Sequence, residues 1–283
     1  MIDLSIIVVT YNSSEVIEGF LTCLEQFPPK CSWELVVTDN ASGDGSAEVV
    51  KRRFPEARIA VNATNNGFAA GVNQAARCAG GRYLLLANPD VTWQEGTIDR
   101  LIGFLDMHPR GAAVTPRLAF PNGRPQPSTR RFPTHSNIWF SRGTPWGERW
   151  PGKWGPWTYT LPDPDHAARV EAISGTFLLL RRDAFVEVGM LDERFFMYVE
   201  DTDLSKRLRD AGWEAWIDPG IVIRHKWGGF KKRSEVLRRY HREGIRKYFQ
   251  KHHPEKRIRN AFLGLALWVS GLVAGGRDTD SEQ

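Results

Sequence analysis

Tyr83-Leu84-Leu85-Leu86-Ala87-Asn88-Pro89-Asp90 is the stretch that decides how the rest of this 283-residue chain is read. Four apolar residues and an alanine suit a central strand buried on both faces, and Asn88-Pro89-Asp90 stops it abruptly. Asp90 then stands at the strand's carboxyl end, the edge at which open α/β sheets bind ligands. A simple Asx-Pro turn explains the same three residues. The choice between the two rests on the flanking segments.

Upstream, a strand, a loop and a helix recur with short links. Residues 5–10 form a largely β-branched run, and Val16, Ile17, Phe20, Leu21 and Leu24 share one helical face, with Asn12 and Glu15 read as the cap. A strand at 34–38 leads into an Asx- and Gly-rich loop and a helix through Phe54. A strand at 58–61 leads to Asn65-Asn66-Gly67-Phe68 and a helix over about 69–78. Downstream, a helix over about 94–107 is capped by Thr92 with Glu95, and a strand follows at 112–115. This rhythm predicts an α/β fold with a mostly parallel central sheet and right-handed crossovers. Thr10, Asp39 and Asp90 should converge on one sheet edge. Neither the G-x-G-x-x-G fingerprint nor the P-loop pattern follows the first strand, which argues against NAD enzymes and common NTPases. Diphosphate binding would then need a divalent metal held by Asp90. Asp39 fits turn chemistry as well as ligand contact, and Gly67 and Gly71 permit either tight helix packing or close approach of backbone to a ligand.

Periodicity disappears from Arg117 to Asp165, where Trp139, Trp146, Trp150, Trp154 and Trp157 sit among many prolines. The faces of Trp150 and Trp154 suit a carbohydrate acceptor, and a satellite hydrophobic cluster is the competing reading. Strands at 169–173 and 176–180 flank Ser174-Gly175. Further on, Glu200, Asp201 and Asp203 open a helix whose inward positions are Leu204, Leu208 and Ala211. Capping of the helix dipole accounts for three carboxylates there. The apolar approach Phe195-Phe196-Met197-Tyr198-Val199 also suits a partly buried general base.

Five motifs now stand in order: Val8-Val9-Thr10-Tyr11-Asn12, Val37-Thr38-Asp39-Asn40-Ala41-Ser42, Asn66-Gly67-Phe68-Ala69-Ala70-Gly71-Val72-Asn73, Asn88-Pro89-Asp90 and Phe196-Met197-Tyr198-Val199-Glu200-Asp201-Thr202-Asp203-Leu204. With them the chain, from about Leu4 to His225, resembles the family 2 glycosyltransferases of the GT-A fold, and among them the rhamnosyltransferase-like group. The resemblance implies an inverting, metal-dependent transfer of a sugar, L-rhamnose from dTDP-rhamnose before galactofuranose or another hexose, to a hydroxyl of a bacterial surface glycan or lipid-linked acceptor. It implies that Thr10, Tyr11, Asp39 and Asn40 meet the donor's nucleoside, with Gly67, Phe68, Gly71, Asn73 and Asn88 bordering it. Asp90 would bind Mg²⁺ or Mn²⁺ with His225, which follows a strand at 221–224, and Asp201 would be the catalytic base with Glu200 on the acceptor side. Asn88 departs from the family's Asp-x-Asp signature, so Asp90 is the one strong ligand from its loop. A glycoside hydrolase, which also needs paired carboxylates, and a non-catalytic carbohydrate-binding protein are the rival readings. Dependence on a sugar nucleotide separates transfer from hydrolysis, and metal-dependent donor binding separates either enzyme from the binding protein.

Composition bounds this picture. With 41% hydrophobic residues the chain can fill a sizeable core. Residues 1–230 are expected to form the glycosyltransferase domain, with an acceptor-side insertion at about 117–165, and 231–283 a basic helical extension. Cys23, Cys31 and Cys78 match no metal spacing, and an odd count fits a reducing compartment. No secretory signal and no run of about 20 apolar residues is read, so the expected location is cytoplasmic, peripheral at the inner face of the plasma membrane. The net charge of +5 gathers in the C-terminal part. There a helix at 234–252, burying Leu237, Tyr240, Ile245 and Tyr248, precedes an apolar stretch at 261–275 suited to an anionic membrane surface, a dimer contact or the core. No nucleic-acid reading motif accompanies the charge.

Overall fold

The structure is a computed structural model and describes residues 2–138, 159–160, 166–226 and 235–278. Its first half alternates β1 (Leu4–Thr10), α1 (Ser14–Gln26), β2 (Trp33–Asp39), α2 (Ser46–Arg53), β3 (Arg58–Val61), α3 (Phe68–Cys78) and β4 (Tyr83–Ala87). Then come β5 (Val91–Thr92), α4 (Thr97–Met107), β6 (Gly111–Ala119), β7 (Pro125–Gln126), β8 (Thr129–Arg130), α5 (His135–Ile138) and β9 (Tyr159–Thr160). The last part holds β10 (Ala168–Val170), β11 (Ala172–Ile173), β12 (Phe177–Arg181), α6 (Arg182–Glu187), α7 (Glu200–Asp210), β13 (Glu214–His225), α8 (Glu235–His252) and α9 (Arg257–Asp278).

The main sheet runs β10-β13-β6-β12-β4-β1-β2-β3, with β5 on β13 and β7 on β6. Strands β3, β2, β1 and β4 are parallel, β12 enters antiparallel between β4 and β6, and β13 runs parallel to β6. Both faces are covered. Leu4, Ile6, Val8, Leu35, Val37 and Leu85 point towards α1, α2 and α4, while Ile7, Val36, Leu84 and Leu86 point towards α3, α6 and α7. That two-sided burial is why the central strands read as unbroken apolar runs instead of alternating ones.

Register fixes the working edge. Thr10 pairs with Asp39 and Asp39 with Val61, while Val8 pairs with Ala87, so the residues after Ala87 continue past the same end of the sheet.

Several local expectations are corrected. Helix α1 is not capped by Asn12 and Glu15; it starts at Ser14, whose N–H is taken by Asp44 at 2.8 Å, while Ser46 takes the Ser13 N–H at 2.8 Å. Its orphan donors are thus satisfied from the neighbouring loop. Helix α4 begins at Thr97 behind Gly96 in the left-handed conformation, which displaces the Thr92–Glu95 box. The segment after Arg117 is not featureless: it holds the end of β6 with β7, β8, β9 and α5, and β8 joins β11 and β9 in a small second sheet. Trp139, Trp146, Trp150, Trp154 and Trp157 lie outside the described residues.

The C-terminal helices dock on the domain through charge and apolar contact. Asp203, fully buried, pairs with Arg207 Nε at 2.8 Å, Lys251 Nζ at 2.8 Å and His252 Nε2 at 2.7 Å. Ile245, Tyr248, Phe249, Leu263 and Leu267 of α8 and α9 enclose Ile138, Phe195 and Val199. Burial penalises the Asp203 charge, but the His252 hydrogen bond and the Arg207 and Lys251 charges outweigh that and hold its carboxyl below the ordinary aspartate value. A carboxylate depressed in the fold contributes stability that is complete above its unfolded pKa of about 3.9 and is lost as pH falls through the folded value. Asp203→Asn removes the buried charge that Arg207, Lys251 and His252 share, all three partly buried, and should lower unfolding stability by about 3 kcal/mol in urea titrations at neutral pH. A loss below about 1 kcal/mol would show that the cluster does not hold the extension.

Candidate active site

Hydrogen bonds stitch the five motifs together at the carboxyl edge of the parallel strands. The Thr10 hydroxyl donates to Asp39 Oδ1 at 2.6 Å, and the Ser42 hydroxyl and N–H donate to Asp39 Oδ1 and Oδ2 at 2.6 and 2.9 Å. Asp39 therefore closes its own turn while it fixes the end of β1. The neighbouring Asn40 donates to Gly67 O at 3.0 Å and accepts from Asn62 Nδ2 at 2.9 Å. Thr10, Asp39 and Asn40 are buried, which leaves Tyr11, 45% exposed, as the accessible ring at this corner.

The third motif meets the fifth at Gly67. The Phe68 N–H donates to Phe196 O at 2.7 Å, and a Cβ on Gly67 would lie 2.4 Å from that same oxygen. With φ at +88°, only glycine fits there. Gly71 backs onto Val9, and its carbonyl accepts from Thr38 Oγ1 at 2.9 Å. Asn73 is buried. Its amide donates to Leu191 O at 2.8 Å and Glu193 Oε1 at 3.0 Å and accepts from the Leu191 N–H at 3.0 Å, so it positions the loop after α6.

The fourth motif is joined to the fifth through the two residues just before β12. The Asn88 N–H donates to Thr176 O at 2.9 Å, and the adjacent Gly175 N–H donates to Asp201 Oδ2 at 3.4 Å. The Phe68 ring lies beside Gly175 as well, 3.6 Å from where a Cβ would stand. Asp90 and Asp201 thus belong to one corner of the molecule. Asp90 Oδ1 lies 3.2 Å from His225 Nε2, brought there by the pairing of Val91 with His225 between β5 and β13. The other imidazole nitrogen meets the Gln126 amide, its nitrogen at 2.9 Å and its oxygen at 3.2 Å. The shorter contact has the Gln126 amide donating to Nδ1, which leaves the proton on Nε2 facing Asp90; a metal ligand at Nε2 requires the other tautomer, with Nδ1 donating to the Gln126 oxygen. A carboxylate and an imidazole so held fit a divalent cation that completes its shell from diphosphate and water oxygens. Among the described residues no group of three His, Cys, Asp or Glu side chains could hold a metal without such help.

Asp201 is buried near the start of α7. Its Oδ2 accepts from Arg130 Nη2 at 2.9 Å and its Oδ1 from the Thr202 N–H at 2.6 Å. The turn before it is strained: Tyr198 and Val199 have φ of +69° and +73°, a region costly for a β-branched residue. Helix α8 meets that turn at Gly244, where a Cβ would lie 2.9 Å from Tyr198 O and 3.0 Å from Val199 Cγ2. Arg130 and Gln126, which orient the candidate base and the candidate ligand, come from the aperiodic segment and carried no sequence signal beyond their polarity. Trp150 and Trp154 are outside the described residues.

Glu200 is the least satisfied group at the site. It is buried, and its Oε2 has no hydrogen-bond partner among the described residues. Burial and then the neighbouring Asp201 charge push its carboxyl up to about 8. The folded protein then holds a proton that the unfolded chain releases near pH 4.3 or so. Stability should fall as pH rises from there towards about 8. Glu200→Gln should flatten that slope in urea midpoints taken across the interval, whereas parallel slopes for both proteins would mean that Glu200 ionises normally.

Comparison with known proteins agrees with this geometry. Residues 5–189 match the model of glycosyl transferase family 2. The chain is 34% identical over 238 residues, 79% of its own length and 76% of the relative's, to N-acetylglucosaminyl-diphospho-decaprenol L-rhamnosyltransferase of Mycobacterium tuberculosis. It is 26% identical over 211 residues to the low-salt glycan biosynthesis hexosyltransferase Agl10 of Haloferax volcanii, covering 73% of this chain and 62% of that one. Among solved structures it is similar in fold to the mannosyltransferase PcManGT of Pyrobaculum calidifontis, in complex with GDP-Man and Mn²⁺, at a TM-score of 0.59 and 18% identity over 96% of this chain and 75% of that one. It is likewise similar to S. aureus TarS in complex with UDP, at 0.57 and 16% over 94% and 71%. The chain belongs to glycosyl transferase family 2 and is a glycosyltransferase of the GT-A fold.

Proposed function

We propose that this glycosyltransferase moves L-rhamnose from dTDP-rhamnose, with inversion and with the help of a divalent cation, onto a hydroxyl of a lipid-linked saccharide. The observation that supports the reading is that the loop carrying Asp90, itself paired with His225, and Asp201 are both bonded to the consecutive residues Gly175 and Thr176 just before β12. The choice of sugar and of an N-acetylglucosaminyl-diphospho-polyprenol acceptor draws its support from the mycobacterial relative, similar over more than three quarters of both chains. Galactofuranose or another hexose is the second choice. The substrates would be met on the cytoplasmic side, where sugar nucleotides are made.

In this scheme the nucleoside lies along the Thr10–Asp39 edge with Tyr11 beside it, and the diphosphate points towards Asp90. Asp90 and His225 would hold a Mg²⁺ or Mn²⁺ ion, which would supply positive charge opposite the departing diphosphate. The acceptor hydroxyl approaches the sugar's anomeric carbon from the side of Asp201, which takes the hydroxyl proton as the new C–O bond forms and the bond to the nucleoside diphosphate breaks. Arg130 and the Gly175 N–H hold Asp201 Oδ2 in place for that transfer. The inverted product follows from a single in-line displacement, which needs no covalent enzyme intermediate.

Asp201→Asn should reduce kcat by roughly 10²-fold or more while donor Kd changes less than about two-fold. Turnover close to that of the unaltered enzyme would remove Asp201 from the base position. Release of dTDP from dTDP-rhamnose should stop in EDTA and return with Mn²⁺, and Asp90→Ala should need far more Mn²⁺ for the same rate. Full activity in EDTA would contradict the role given to Asp90 and His225.

A further inference from the structure

Helix α9 presents two apolar faces over residues 257–269, and among the described residues only one of them is covered. Leu263 and Leu267 are buried against α8, whereas Ile258, Phe262, Leu265, Trp268 and Val269 are all exposed. At 100° per residue those five fall in one stripe opposite the buried pair, with Arg257 and Arg259 bordering it on either side. Grouped apolar side chains of this size mark a contact surface, unlike scattered ones. At the margin of the stripe a cavity of about 460 Å³ is lined by His135, Ser136, Arg259 and Phe262, so a guanidinium and an aromatic ring share one recess.

Charge selects the occupant. Between Glu235 and Asn260 nine Lys and Arg stand against three Glu, and Arg246, Arg257 and Arg259 have no carboxylate partner among the described residues. A second copy of the chain would bring its own cations to the same seam, whereas an anionic lipid surface neutralises them. No described helix is long and apolar enough to cross a membrane, while an amphipathic helix with Arg at its margins and Trp on its apolar side suits the plane of the interface. We infer that the outer face of α9 docks on the interfacial layer of an anionic phospholipid bilayer. Ile258, Phe262, Leu265, Trp268 and Val269 enter the acyl boundary, and Arg257 and Arg259 meet lipid phosphates. The cluster that seats α9 also contains Phe195 and Val199, immediately before Glu200 and Asp201, so docking sets the orientation of the site towards the lipid surface. The inference gains its purpose from the lipid-linked acceptor reading, but its test uses no substrate.

The full chain is floated on density gradients with vesicles of phosphatidylcholine alone or mixed with phosphatidylglycerol. It should rise with the anionic vesicles, and less so as salt is raised. The variant F262S/L265S/W268S should lose about 10-fold or more of that binding, and R257Q/R259Q should lose the preference for phosphatidylglycerol. Val236→Ser, which removes an exposed apolar side chain of α8, should float as the unaltered protein does. Circular dichroism of the stripe variants should be unchanged, because the altered side chains are exposed. No flotation of the unaltered chain overturns the inference, as does equal flotation of either stripe variant. A dimer in sedimentation velocity that F262S/L265S/W268S dissociates, with no recruitment to vesicles, overturns it too and assigns the stripe to self-association. Flotation together with failure of dTDP-rhamnose to support transfer would leave the docking face standing and remove only the donor assignment.

Discussion

Two consecutive residues just before β12, Gly175 and Thr176, tie the acidic corners of this molecule to each other. Thr176 takes the N–H of Asn88, which fixes the loop carrying Asp90, and Gly175 gives its own N–H to Asp201. They can do this because β12 runs antiparallel to β4, so its first residues lie level with the last residues of that strand. Parallel pairing sets the remainder of the edge: Thr10 beside Asp39, and Asn40 reaching Gly67, which in turn abuts Phe196. In the proposed scheme Asp90 and Asp201 act on the donor and acceptor sides of one sugar, and these backbone contacts are what tie the two loops together.

The second constraint is strain, and it accounts for how closely the C-terminal helices are packed onto the turn that carries Glu200 and Asp201. Left-handed backbone at Tyr198 and Val199 aims Glu200 and Asp201, and such a conformation persists only where its surroundings enforce it. The surroundings are α8, pressed against the turn at Gly244, and the apolar cluster that encloses Val199. Asp203 locks α8 in place by pairing with Lys251 and His252. A helix pair that sequence divides from the transferase domain therefore holds the candidate base, and its exposed stripe carries that mechanical link outward to a surface.

The parallel half of the fold was legible because strands buried on both faces must be continuous apolar runs, and each ended in Asx, Gly or Thr. Asp39 and Asp90 could be picked out on that ground, whereas Asp201, at the start of a helix, was singled out by its apolar approach and by family likeness. Caps were read wrongly where the partner came from elsewhere in the chain: Asp44 serves Ser14, and Gly96 supersedes the Thr92–Glu95 pair. Asp203 read as a dipole-capping residue because Lys251 and His252 are nearly 50 positions away, a pairing that only the tertiary fold creates. Arg130 and Gln126 were invisible for a different reason. They sit in two-residue strands, too short to impose a period, and their importance comes entirely from meeting Asp201 and His225. His225 was recognised through family likeness alone, since nothing in its local sequence marks a ligand. Asn73, placed beside the nucleotide by that likeness, spends its side-chain amide on the loop at Leu191 and Glu193, a role the sequence did not show.

A crystal structure of the protein with dTDP and Mn²⁺, with the metal located by its anomalous scattering, tests the central claim most directly. The account predicts one peak within about 2.5 Å of both an Asp90 oxygen and His225 Nε2, with the diphosphate lying between it and the side of the pocket that holds Asp201. A Mn²⁺ bound by other residues, or a diphosphate on a face of the molecule remote from Asp201, would contradict it.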